Sequence, residues 1–168
     1  MVLSGKELVK SGIITNIINK NCIQQVGIDL ELVEVNEVEG VGFIWKDKKT
    51  TLPKYFPIHP DIEIDGEKGW LLHPGYYEIA FRQGCKLPNN VMFRLRQRSS
   101  LLTTGVQIHS SVFDPGFFTK QMRTFMYVIR KVFISEGARV CQAYASFTTE
   151  VEEEHLYNGQ FQADKQNK

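Results

Sequence analysis

From Gly12 to Phe147, glycine and proline return every dozen residues or so, separating short runs rich in Val, Ile and Phe. A chain punctuated in this way cannot sustain long helices, and it reads as many short strands joined by turns. The expected strands are Val26–Val35, Gly40–Trp45, Gly69–Leu72, Tyr76–Arg82, Val91–Gln97, Met122–Phe133 and Arg139–Phe147. Turn signals fall at His73-Pro74-Gly75, Leu87-Pro88-Asn89-Asn90 and Asp114-Pro115-Gly116. The segment from Lys46 to Gly66 holds three prolines and reads as an irregular excursion. One short helix is expected at the start, where Ser4 and Glu7 have the spacing of a capping box and Ser11-Gly12 ends the run. No period of tens of residues recurs, which argues against a solenoid or propeller.

The 168 residues suit one domain with a real core, and 42% hydrophobic with 23% charged residues is ordinary globular composition. A formal charge of +1 provides no global field toward nucleic acid or an anionic membrane. No apolar run approaches the roughly 20 residues of a membrane span, and Met1–Gly12 lacks the apolar core of a secretory peptide. Three scattered cysteines, Cys22, Cys85 and Cys141, make neither a disulfide framework nor a zinc site. The expectation is a cytoplasmic protein with reduced, mostly buried thiols and no nucleic-acid or membrane partner.

Within Val91–Gln97, Arg94 and Arg96 share one strand face, and Arg98 joins them if the strand continues. Such a stripe is either a solvated edge with ion pairs or an anion site. The next residues favour the anion site. Arg98-Ser99-Ser100 offers a guanidinium fork, two hydroxyls and free turn amides to phosphate oxygens.

Four further segments stand in a fixed order around it: Gly27-Ile28-Asp29-Leu30, Val112-Phe113-Asp114-Pro115-Gly116-Phe117, Gly137-Ala138-Arg139-Val140-Cys141-Gln142 and Tyr157-Asn158-Gly159-Gln160-Phe161-Gln162. This set resembles the superfamily of trimeric dUTPases and dCTP deaminases, over nearly the whole chain. The resemblance implies an all-β fold, a distorted jelly-roll-like barrel with a short N-terminal helix. Residues 1–156 would form one domain and 157–168 a partly flexible C-terminal arm. It also implies a homotrimer with shared active sites, acting on a deoxynucleoside triphosphate with Mg²⁺ on the phosphates. Asp114 aligns with the aspartate that activates the attacking water. Phe117 aligns with the aromatic residue that packs on the deoxyribose. Arg98, Ser99, Ser100 and Gln142 would hold the triphosphate, and Gln107 and His109 would lie at the base. Tyr157 and Gln162 would belong to a lid. Asp29 either meets the metal through water or plays a structural part beneath the site.

Two positions separate the superfamily's reactions. The deaminase glutamate, ten residues after the Asp-Pro-Gly aspartate, is Thr124 here, and the arginine five residues after that of the Arg-Ser-Ser motif is Thr103. Threonine cannot accept a proton as glutamate does. The chain therefore reads as a divergent dUTPase-like hydrolase, giving dUMP and pyrophosphate from dUTP. The Tyr157–Gln162 ending is more deaminase-like, and Thr119 replaces a usual glycine. A dCTP deaminase, a bifunctional deaminase–dUTPase and a non-catalytic nucleotide-binding regulator are the alternatives.

Overall fold

The computed structural model describes residues 1–163. Helix α1 (Gly5–Lys10) opens with the expected capping box: the Glu7 amide donates to the Ser4 hydroxyl (3.3 Å), and the Ser4 amide donates back to the Glu7 carboxylate (2.9 Å). After β1 (Ile14–Thr15) and a 3₁₀ turn at Lys20–Cys22, the long β2 (Ile28–Glu39) runs through the molecule. Then follow β3 (Lys54–Ile58), β4 (Ile62–Ile64), β5 (Glu67–Leu72), β6 (Gly75–Phe81), β7 (Gly84–Lys86) and β8 (Val91–Gln97). A one-turn helix α2 (Ser99–Thr103) leads to β9 (Val106–His109), β10 (Phe118–Thr119), β11 (Arg123–Val128), β12 (Val132–Ser135) and β13 (Arg139–Phe147).

The principal sheet has the order β8-β13-β2-β6-β11-β9, with β3 paired to the outer part of β2. Beyond β9 the chain returns to β8 through an antiparallel bridge between Phe113 and Phe93, so the sheet nearly closes on itself. Two small sheets, β1-β7-β10 and β12-β5-β4, cap it. The result is a distorted β-barrel, all-β apart from short helices. Alternation explains the core. Ile28, Leu30 and Leu32 of β2, Phe93 of β8 and Ala143 and Ala145 of β13 are fully buried on the inner face. Asp29, Gln142 and Arg96 lie side by side across the same three strands on the other face.

Several elements differ from the sequence expectation. Gly40–Trp45 is not a strand; it carries only an isolated bridge from Phe43 to Thr51. The excursion after it contains β3 and β4. Pro57 sits inside β3, opposite Asn36, because β3 is an edge strand and its missing amide breaks no ladder. Met122–Phe133 is two strands, interrupted at Ile129–Lys131 where the chain leaves the principal sheet for a small one. The stripe also breaks: Arg98 has extended backbone but caps α2, and its guanidinium turns toward Asp29.

Candidate active site

The sequence-predicted residues fall into separate groups. The first lies where β8 ends. Asp29 is 2% exposed on the outer face of β2. Its carboxylate lies 3.4 Å from Arg98 Nε and 3.2 Å from Arg139 Nη1, and accepts from the Gln24 amide at 3.1 Å. Arg98 Nη1 also donates to the Arg139 carbonyl (3.1 Å), and Arg139 Nη1 to the Asn21 carbonyl (2.6 Å). One carboxylate thus aligns two guanidiniums and leaves the cluster cationic. Burial pushes the Asp29 carboxyl up, and the charges of Arg98 and Arg139 pull it back only in part. Ser99 and Ser100 open α2 beside this pair, exposed, with first-turn amides that have no intrahelical acceptor. Gln142 stands opposite Asp29 in the ladder, half-buried, and its amide donates to the Val26 carbonyl. Such a group suits phosphate oxygens.

The second group is the turn Asp114–Phe118. The Phe117 amide donates to the Asp114 carbonyl at 3.0 Å, and Gly116 has φ +85°, the left-handed region that glycine enters without strain. Asp114 itself is exposed. The Phe117 ring lies edge-on between Phe113 (5.2 Å) and Tyr157 (5.3 Å). The Gln162 side chain meets the same turn, donating to the Gly116 carbonyl at 3.0 Å and accepting from the Phe118 amide at 2.9 Å. Asp114, Phe117, Tyr157 and Gln162 therefore come together. Residues 164–168 of the expected arm lie outside the described residues.

The two groups lie toward different ends of β8. Phe113 bridges to Phe93, whereas Arg98 follows the last residue of the strand. Five residues of strand at about 3.3 Å each separate Phe93 from Arg98 by roughly 16 Å. Gln107 and His109 join neither group by a side-chain contact. Both are exposed on the outer face of β9, and the His109 ring lies 6.5 Å from Tyr76. The His109 carbonyl accepts from the buried Thr124 hydroxyl.

The family model described as dCTP deaminase-like matches residues 4–144. The chain belongs to the dCTP deaminase-like family. A relative in Methanocaldococcus jannaschii, named deoxyuridine 5'-triphosphate nucleotidohydrolase, is 34% identical over 121 residues, 71% of this chain and 75% of that one. One in Aeropyrum pernix, named a probable deoxyuridine 5'-triphosphate nucleotidohydrolase, is 28% identical over 166 residues, 98% of this chain and 99% of that one. The crystal structure of 2'-deoxycytidine 5'-triphosphate deaminase from Agrobacterium tumefaciens superimposes with a TM-score of 0.61 at 12% identity. That match covers 86% of this chain and spans 47% of the other, and it bears on the fold.

Within this dCTP deaminase-like scaffold, Thr124, Thr103 and Thr119 have local roles. Thr124 is buried and commits its hydroxyl to His109. The Thr103 hydroxyl donates to the Ser100 carbonyl at 2.9 Å and closes α2. Thr119 pairs with Cys85 in a small sheet and donates to the Gln121 carbonyl at 2.8 Å. Burial pushes the thiols up, Cys22 to about 11 and both Cys85 and Cys141 to about 12, so they stay protonated and inert. Sequence reasoning missed Arg139 and Gln24. Arg139 lies in a quoted motif three residues before Gln142, and a bulge between Arg139 and Cys141 brings it to Asp29. That bulge has no signature in the sequence. Gln24, five residues before Asp29, carried no signal. No helix among the described residues is long and apolar enough to cross a membrane.

Proposed function

We propose that this protein hydrolyses dUTP to dUMP and pyrophosphate. The observation that carries the reading is Thr124: where a deaminase needs a glutamate, a buried hydroxyl is already spent on a backbone carbonyl. The carboxylate that hydrolysis requires, Asp114, is present and open to solvent. The names of the archaeal relatives agree with this choice.

Arg98 and Arg139, with Ser99, Ser100 and Gln142 beside them, bind the triphosphate, and Asp29 holds the two guanidiniums in register. Asp114 accepts a proton from the water that attacks the α-phosphorus. The Phe117 ring meets the deoxyribose. Gln107 and His109 serve base recognition through the β9 segment, and Tyr157 and Gln162 close the arm over the turn. The donor set does not fit a protein-held Mg²⁺ at Asp29, whose carboxylate is shielded and neutralised by two cations. A cluster that could offer metal ligands among the described residues, Glu152, Glu154 and His155, is exposed and lies outside both groups. Mg²⁺ therefore enters as the dUTP complex, which is the substrate.

The roughly 16 Å of strand from Phe93 to Arg98 supports a site completed by two copies of the chain, as in a homotrimer with shared sites. We place the enzyme in the cytoplasm, where its three thiols remain reduced. The test is a product assay with dUTP, dCTP, dTTP and UTP, each with Mg²⁺. The expected result is dUMP and pyrophosphate from dUTP, with kcat reduced about 10²–10⁴-fold by Asp114→Asn and nucleotide binding kept. Deaminated product from dCTP, or no product from any nucleotide, overturns the reading.

A further inference from the structure

We propose that Gln162 is a positioning residue, whose side-chain amide clasps the backbone on both sides of Phe117 and holds the turn that carries Asp114. The inference rests on the role assigned to that turn under the proposed function. The turn has two polar edges. On the inner edge, the Leu87 amide donates to the Phe117 carbonyl (2.9 Å) and the Gly116 amide donates to the Leu87 carbonyl (3.2 Å). On the outer edge, the Gly116 carbonyl and the Phe118 amide point away from Leu87. They meet the Gln162 amide at 3.0 and 2.9 Å. A primary amide carries a donor and an acceptor in one plane, which this pair of backbone groups requires. Glutamate would keep the acceptor but set a second acceptor against the Gly116 carbonyl, and alanine would keep neither.

The neighbouring residues build the seat for that side chain. The Tyr157 amide donates to the Pro115 carbonyl at 2.9 Å, and the Tyr157 hydroxyl accepts from the Phe161 amide at 3.3 Å. The Gln162 amide nitrogen of the main chain donates to the Gly159 carbonyl at 3.3 Å, folding the arm so that the side chain returns to the turn. A Cβ on Gly116 would stand 2.8 Å from the Leu156 Cβ, so the arm lies against the turn with no room between. Gln162 thereby acts on Asp114 and Phe117 through backbone, without touching either side chain. Small displacements of a reacting group cost rate steeply, whereas a group that only binds phosphate would change affinity.

The experiment has two arms. In nucleotide-free protein, hydrogen exchange at the Phe118 amide is followed by NMR. Gln162→Ala is expected to speed it at least tenfold, and Gln162→Glu by less. In steady-state kinetics with magnesium-bound dUTP and UTP, Gln162→Ala is expected to lower kcat for dUTP at least tenfold with KM within about threefold, and to narrow the dUTP preference over UTP, because the Phe117 ring shifts. Unchanged Phe118 exchange in Gln162→Ala overturns the proposal, as does a raised KM for both nucleotides with kcat intact. Wild-type protein without turnover would instead refute the hydrolytic reading, and the exchange arm would still decide whether Gln162 holds the turn.

Discussion

The contacts of Asp29 come from residues both near it and far from it in sequence. Its motif placed it near phosphate chemistry, as a metal neighbour or a structural acid. The fold surrounds it with Arg98, Arg139 and Gln24. Two guanidiniums a few ångströms apart repel unless an acid lies between them. Replacing Asp29 with Asn leaves that repulsion uncompensated. We expect a loss of about 2 kcal/mol in urea denaturation, between the values for exposed and buried pairs because the arginines remain about one-third exposed. The same variant should raise KM for dUTP as Arg98 loses its direction. An unchanged urea midpoint would show that Asp29 does not organise the pair. Arg94 and Arg96 follow a different logic. Arg94 stands opposite Tyr144 in the ladder, and hydrogen bonding from Arg94 and Arg96 together with their charges holds the Tyr144 hydroxyl below its ordinary pKa, while Arg98, two residues on, turns its guanidinium to Asp29. Alternation predicted their shared face, and β8 ends at Gln97 as expected; the pairing of Arg98 with Asp29, 69 positions away, is what alternation does not carry.

Among the elements, those governed by neighbours in sequence matched their signals. The capping box of α1 is present in both directions, and removing its Ser4 hydroxyl in Ser4→Ala should cost about 1 kcal/mol. For a domain of this size that is roughly 2–4 °C in Tm, measurable by circular dichroism. A Tm shift below half a degree would mean that α1 frays without consequence for the fold. The strands β8 and β13 agree with their expected boundaries to the residue; β8 alternates cleanly between core and outer face, and β13 does so from Cys141 onward, after its bulge. Edge positions were less legible. The prolines around β3 looked like breakers because sequence carries no mark of which strand has only one neighbour. Hydrophobic content misled at Gly40–Trp45, where Val41 and Ile44 are 69% and 92% exposed and Phe43 stacks on Trp45 at 5.3 Å outside any strand.

At the scale of the whole molecule, long-range polar contacts tie the principal sheet together. Arg123 of β11 makes a two-pronged pair with Glu34 of β2 (2.8 and 2.9 Å) and reaches Glu78 of β6 at 3.0 Å. Burial raises the Glu34 carboxyl, but the hydrogen bonds from Arg123 and Asn36 and the Arg123 charge outweigh it and leave the group below its usual 4.5. A carboxyl lowered by folding contributes stability above its unfolded value and loses that contribution as pH falls through its folded value. Chemical denaturation from pH 7 to pH 3 should therefore show a flatter acid limb for Glu34→Gln than for the wild type; identical limbs would assign the acid loss elsewhere. The proposed sharing of the site between copies makes a second prediction. An Arg98→Ala chain and an Asp114→Asn chain, each nearly inactive, should regain activity when unfolded and refolded together, because mixed assemblies pair an intact half from each. No recovery in verified mixed assemblies would place a complete site within one chain.

The all-β class, the N-terminal helix and the order of the motifs were legible from local chemistry: residue alternation, turn residues and side-chain caps act over a few positions. Family resemblance then linked those motifs to one reaction class. Three arrangements needed the folded chain: Arg139 at Asp29, Gln162 across Phe117, and the separation of Arg98 from Asp114. Each joins or separates residues through strand register, a bulge or the return of a terminal segment. These depend on which backbone groups are left unsatisfied after the sheet has formed, and that is a property of the whole packed chain.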